Sequence, residues 1–267
     1  MLKTLLINTL LKEARSRSLL FLGIFNIIIL LVMVTVVKLL GENTLAQEGL
    51  SVVGGGVMGI YFLVINWWIT ILAYLLGTSA IASDLRSGIV SQLVSFPIPR
   101  WQYILVRIVG VWIIVLGFYF VSNFLGGFVF SVITGVEVSF GGAIVAFLIN
   151  LLPLLAAITL AVFLSLYIQR IFAFVLCSFL SVIVQISTSG ITKIGLERAL
   201  SEFDLYKSIG LFFHFLFPHV SVWSNYASSF IFGTEASFNS MFEVPHLVVI
   251  TMVWIGLISF IFKKKEL

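Results

Sequence analysis

Residues 83–107 read SDLRSGIVSQLVSFPIPRWQYILVR, and the reading of the whole chain turns on them. They lie between two apolar runs, each long enough to cross a bilayer, and combine charge, helix breakers and amphipathic spacing. Leu85, Ile89, Leu93 and Phe96 fall at i, i+4, i+8 and i+11, one face of a helix. Arg86, Ser87, Ser91 and Ser95 take most of the remainder. Ser83 or Asp84 can cap the start, and Asp84 suits the positive end of the helix dipole. Pro97 and Pro99 end the pattern, because proline lacks an amide hydrogen and pushes the residue before it out of the helical region. Arg100 then faces water, while Trp101 and Tyr103 suit the headgroup level where the next span begins. The stretch predicts a short helix across the membrane exit and a sharp turn back into lipid: a cytosolic docking element.

The composition around it belongs to a membrane protein. The chain has 267 residues, 61% hydrophobic and 10% charged, with a mean hydropathy of +1.20. A soluble domain carries about 25% charge. The single cysteine, Cys177, excludes an internal disulfide and sits in an apolar run as a small core residue. No cleavable leader is expected, since the run after the first 17 residues is too long for one.

A span needs about 20 apolar residues to cross a hydrocarbon core of about 30 Å, and six runs qualify. They are expected at 19–40, 57–82, 104–133, 142–168 (with Pro153 as a kink), 171–189 and 245–262. Residues 1–17 form a basic amphipathic segment with Leu5, Leu6, Thr9, Leu10 and Glu13 largely on one side. It either lies along the inner headgroups, near anionic lipid, or extends the first span. Residues 41–56, with Glu42, Glu48 and three consecutive glycines, read as a loop. Residues 191–244 hold an amphipathic surface helix near 193–207 and then an aromatic run at 209–232, interrupted by Pro218.

By length alone that last run could be a seventh span, and charge decides against it. With six spans both ends are cytosolic, and eleven cations (Lys3, Lys12, Arg15, Arg17, Arg86, Arg100, Arg107, Arg170 and Lys263 to Lys265) lie inside against four outside, as the positive-inside rule requires. Eight of the eleven acids fall outside. A seventh span would put the three terminal lysines outside. Residues 209–232 therefore read as two half-helices that dip into the outer leaflet and return, covered by protein or lining a cavity. The result is one all-α polytopic domain with six transmembrane helices.

Catalytic signatures are missing. Gly54, Gly55 and Gly56 lack the Lys-Ser/Thr of a phosphate loop. His214 and His219 stand five apart around a proline with His246 remote, so they read as locally bonded interfacial histidines and no metal is expected. No Ser/His/Asp set is suggested by spacing. Asn26, Asn66, Asn123, Asn150 and Gln185 fall within spans and read as hydrogen-bonding glue between helices, with a substrate path as the other possibility. No span has an acid at its centre, which argues against proton or sodium coupling; energy for uphill movement would arrive from another chain. Phe212, Phe213, Phe215, Phe217, Pro218 and Trp223 are candidates for an outer gate, against the plainer reading of lipid-facing bulk.

Asp84, Gly88, Leu93, Ser95, Pro97, Arg100 and Tyr103, together with the span pattern, the basic N-terminus and LFPHVSVWSNY before the last span, resemble the permease subunits of type 2 ABC exporters. The likeness is greatest to the six-span group that includes the permease for nitrous-oxide-reductase maturation. That pattern often has Glu where Asp84 stands and Thr where Ile89 stands. The resemblance implies a homo- or heterodimer of permease chains in the inner membrane, binding two copies of a cytosolic ATPase. Residues 83–100 would be the coupling helix: Asp84, Arg86, Gly88 and Leu93 would contact or shape the ATPase joint, and Pro97 and Arg100 would fix its exit. The N-terminal segment would be a second contact. ATP and magnesium would act on the partner; this chain would hold no cofactor, catalyse nothing itself and bind no nucleic acid. The substrate class leans to lipids, amphiphilic peptides or hydrophobic drugs, with sulfur-species or copper maturation by analogy. The alternatives are a mechanotransmitting or assembly protein that uses the ATPase contact without moving a solute, and an intramembrane enzyme using His214 and His219.

Overall fold

Inside a bilayer every backbone amide and carbonyl must find its partner within the protein, so a long apolar run has one local solution, the α-helix. The computed structural model describes residues 2–15, 17–48, 52–82, 84, 99–134, 138–195, 204–232 and 238–264. Among them nine helices form and no strand: α1 (Leu2–Ala14), α2 (Arg17–Glu48), α3 (Val52–Ala80), α4 (Arg100–Thr134), α5 (Phe140–Ser165), α6 (Arg170–Ile194), α7 (Leu205–Leu216), α8 (Val220–Phe232) and α9 (Ser240–Lys264). Six are long and apolar enough to cross a membrane, over Leu19–Val36, Tyr61–Ala80, Trp101–Ile133, Phe140–Ser165, Arg170–Ile194 and Ser240–Phe262. At 1.5 Å per residue the 33 residues of Trp101–Ile133 measure about 50 Å, well beyond a core of about 30 Å.

Helix α5 is the hub, packed against α3, α4, α6, α8 and α9. Lipid is as apolar as leucine, so helices associate through close packing rather than by leaving water, and small residues allow it. The buried face of α5 is built that way, from Ala143, Ala146, Ala156, Ala157, Thr159 and Ala161. Opposite them, a Cβ at Gly77 of α3 would stand 2.8 Å from Ala161 Cβ and 3.1 Å from the Ile158 carbonyl oxygen, so only glycine permits this approach. Burial ranks the spans: 56% of the α5 window is buried, against 22% for α2 and α6. The peripheral spans accordingly expose Leu20, Phe21, Ile24, Ile171 and Phe172 outward.

Four expectations change. Residues 41–48 and 52–56 are helical rather than a loop. Glu42, Gln47 and Glu48 are fair helix formers, and each glycine of the triplet costs about 1 kcal/mol relative to alanine without ending α3. The fifth span runs on to Ile194 and stops at Gly195, whose φ of +87° is open to glycine and strained for other residues. Lys193 therefore ends α6 and Lys207 lies in α7, while the core of the surface helix expected near 193–207 falls outside the described residues. Finally, α1 is a helix separate from α2, and the face read from the sequence meets protein. Thr9 is buried, and a Cβ at Gly110 of α4 would lie 2.7 Å from Thr9 Cγ2 and 3.9 Å from Leu6 Cδ1.

The break in the aromatic run lies at Phe217, Pro218 and His219, between α7 and α8. Helix α8 then runs antiparallel along α5. Trp223 clusters with Ala156, while the Phe230 carbonyl oxygen reaches the position a Cβ would take at Gly142. Those two α5 positions are about 21 Å apart along the axis.

Candidate functional site

Of the stretch read as a docking element, Asp84 is the residue the structure places among partners. Its amide bonds the Ile81 carbonyl oxygen (3.0 Å), closing a turn at the end of α3. Its carboxylate is completely buried. Lys12 of α1 donates to Oδ1, and Arg107 of α4 donates to Oδ2, both as ion pairs. Tyr103 Oη also donates to Oδ2, at 2.5 Å. Burial alone would hinder ionisation of Asp84, but the donated bonds of Lys12 and Tyr103 and the charge of Arg107 outweigh it, so the carboxyl titrates below its ordinary value. Tyr103 is further fixed from two sides, by the Arg107 guanidinium 5.6 Å from its ring centre and by Phe262 of α9, stacked at 6.0 Å. One carboxylate thus joins α1, the exit of α3 and the start of α4, with the end of α9 against it.

The sequence named Asp84 but missed its partners. Tyr103 read as a headgroup-level aromatic and Arg107 as one more inner cation. The signal was there: the two stand four apart on one face of α4, and a cation within an apolar helix needs a counterion. Of the other coupling residues, Arg86, Gly88, Leu93 and Pro97 lie outside the described residues, and Arg100 opens α4.

Four of the five amides divide into two groups, and the fifth, Asn123, is buried in α4 away from the groove. Asn26 Oδ1 accepts from Trp68 Nε1 (2.8 Å) and Ser122 Oγ (3.0 Å), tying α2 to α3 and α4. Asn150 Nδ2 donates to Tyr119 Oη (2.8 Å) and to the Ala146 carbonyl (3.1 Å). These two are helix glue. Asn66 and Gln185 instead line a groove of about 350 Å³ between α3, α6 and α8, with Thr70, Tyr74, Ser181 and Ser221. A row of hydroxyls and amides along an otherwise apolar wall suits an amphiphile.

The residues expected to form an outer gate separate as well. Phe213 stacks on Phe217 (5.7 Å), which meets Trp254 of α9 (6.1 Å). Trp223 belongs to another cluster, with Phe238 (5.0 Å), Ala156 and Leu247. Pro218 is buried between them in sequence, whereas Phe212 and Phe215 are exposed. The histidines come together: His219 stacks between His214 (4.3 Å) and His246 (4.4 Å), the last brought in from α9.

Six apolar helices, one of them an alanine-rich hub, with a buried ionic joint at one end, define a multi-pass integral membrane protein. The sequence profile of the ABC-2 family transporter proteins matches residues 7–267, and the chain belongs to that family. It is the membrane component of an ABC transporter, a permease that works with an ATP-binding subunit. No curated protein sequence matches it.

Proposed function

We propose that this permease exports an amphiphilic substrate with energy from two copies of a separate cytosolic ATPase, which dock on residues 83–100 and on α1. The carrying observation is the Asp84 joint. A push on the docking stretch reaches Asp84, and from there passes through Lys12 to α1 and through Tyr103 and Arg107 to the long α4. Because Asp84 is wholly buried, its part is to shape and stiffen the root, which leaves contact with the ATPase to Arg86, Gly88 and Leu93. ATP and magnesium act on the partner.

The same contacts support an orientation in the membrane. Lys12 on Asp84 and Tyr103 on Phe262 gather α1, the docking root and the end of α9 on one face, and the cation excess supports the cytosol as that face. On that orientation α7 and α8 re-enter from the outer side, a reading supported by the 21 Å or so that α8 follows α5. The groove between α3, α6 and α8 is the substrate path, a reading supported by its amide and hydroxyl lining. A second permease chain completes the transporter.

The test is the tagged chain purified from its native membrane. Magnesium-dependent ATP hydrolysis and an ATP-binding-cassette polypeptide are expected to co-purify. Gly88→Trp is expected to abolish both while the permease elutes unchanged from size exclusion. Retention of both by that variant would refute the docking assignment.

A further inference from the structure

Glu243 and His246 stand three apart on one face of α9, and His219 sits in the break between α7 and α8. The structure brings these three together, with one possible ligand atom from each residue lying within 4.8 Å of the others. His219 and Glu243 are buried and His246 is half-exposed. None of this follows from the transport reading above.

The hydrogen bonds fix which nitrogens are available. His219 Nε2 lies 2.6 Å from the His214 carbonyl oxygen, and His246 Nε2 lies 3.0 Å from that of Phe215. A carbonyl only accepts, so both Nε2 atoms carry the hydrogen, and in a neutral imidazole the Nδ1 is then a bare lone pair. His219 Nδ1 faces Glu243 Oε2 at 2.9 Å. His246 Nδ1 is buried without any hydrogen-bond partner. A lone pair and a carboxylate oxygen at that distance repel unless a positive charge lies between them. A proton there would satisfy His219 and Glu243 but leave His246 Nδ1 unmet. A metal ion would satisfy all three.

The arrangement suits such an ion in detail. Tetrahedral zinc with ligands at about 2.0–2.2 Å sets its donor atoms about 3.4 Å apart, a spacing between the 2.9 Å that separates His219 Nδ1 from Glu243 Oε2 and the 4.8 Å that bounds the set. Two imidazoles and one carboxylate are a known zinc donor set that leaves the fourth position to water. Each histidine gives its other ring hydrogen to a backbone carbonyl, the arrangement that orients metal-bound imidazoles. The half-exposed His246 offers a way in.

We propose that His219, Glu243 and His246 bind one divalent transition-metal ion of the zinc class, which pins the break between α7 and α8 to the start of α9. The ion closes a clasp across the discontinuity, so the two short helices move with the last span while it is bound.

The test uses the full chain in detergent micelles, stripped with a chelator and titrated with cobalt(II), then with zinc(II), with magnesium as the control. One cobalt per chain with the intense visible band of a tetrahedral site is expected, displaced by zinc and untouched by magnesium. Glu243→Gln and His246→Ala should each weaken binding by at least about 100-fold, since even outer-shell changes cost 10–100-fold. His214→Ala should leave stoichiometry and spectrum unchanged, because that ring stacks on the site without donating to it. X-ray absorption of the zinc-loaded wild-type chain, which needs no variant to fold, should show two nitrogens and at least one oxygen at about 2.0–2.2 Å. No cobalt band in the wild type, a band that survives both substitutions, or an all-oxygen shell would overturn the site and leave a proton between His219 and Glu243.

Discussion

Replacing Asp84 by asparagine keeps the shape of the joint and removes its charge. The Arg107 guanidinium, buried in the folded protein, would then lose its counterion. Breaking a buried pair from one side costs about 3–5 kcal/mol. At about 2–4 °C per kcal/mol for a chain near this size, the lower figure alone lowers the melting midpoint by about 6–12 °C. Lys12 gives the internal control. Its side chain is 40% exposed, so Lys12→Met should cost only about 0.2–1 kcal/mol. The dependence on pH has a definite sign. Asp84 ionises more readily folded than unfolded. Its contribution is therefore complete above the unfolded carboxyl value of about 3.9 and drains as pH falls below it, through the lower folded value. The assay is thermal unfolding in detergent from pH 8 down to pH 3. The gap between wild type and Asp84→Asn should be constant at neutral pH and narrow on the acid side. A midpoint unchanged at pH 7, or a gap that stays the same into acid, would refute the account of the joint.

Three further outcomes follow from the packing. Gly77→Val should destabilise by about 1–3 kcal/mol, because its side chain would meet Ala161 and the Ile158 carbonyl; an unchanged midpoint would show that α3 and α5 are not in close contact. Asn26→Leu should cost about 0.6–2 kcal/mol through the lost bonds from Trp68 and Ser122, and combining it with Trp68→Phe should cost less than the sum of the two. Asn66→Ala with Gln185→Ala should leave the midpoint within about 0.5 kcal/mol, since both residues are only half-buried, yet change the stimulation of ATP hydrolysis by amphiphiles in the purified complex.

The spans were legible because lipid leaves the backbone no alternative, and the break at Pro218 because a proline disfavours helical backbone in the residue before it, here the extended Phe217. What the sequence hid were meetings between distant residues. Asp84 looked like a helix cap and a surface contact, yet it is enclosed by Lys12, Tyr103 and Arg107, which lie 72 residues before it and 19 and 23 after it. His246 looked remote from His219, yet the return of the chain through α8 to the start of α9 stacks their rings. The helices over 41–48 and 52–56 were hidden by polar residues and glycines, which usually mark loops but here continue the long helices α2 and α3. Asn26 and Asn150 went to glue and Asn66 and Gln185 to the groove by the helix face each occupies, and that becomes visible only once neighbours are assigned.

The excess length of α4 gives bilayer thickness a mechanical effect on this protein. A rod of about 50 Å in a film of about 30 Å must lean or protrude, and its lean adjusts to the thickness of the film. A change of about 5° about its C-terminal tip swings the other end by about 4 Å. That end carries Tyr103 and Arg107, so thinner or thicker lipid works as a lever on the carboxylate they hold, Asp84.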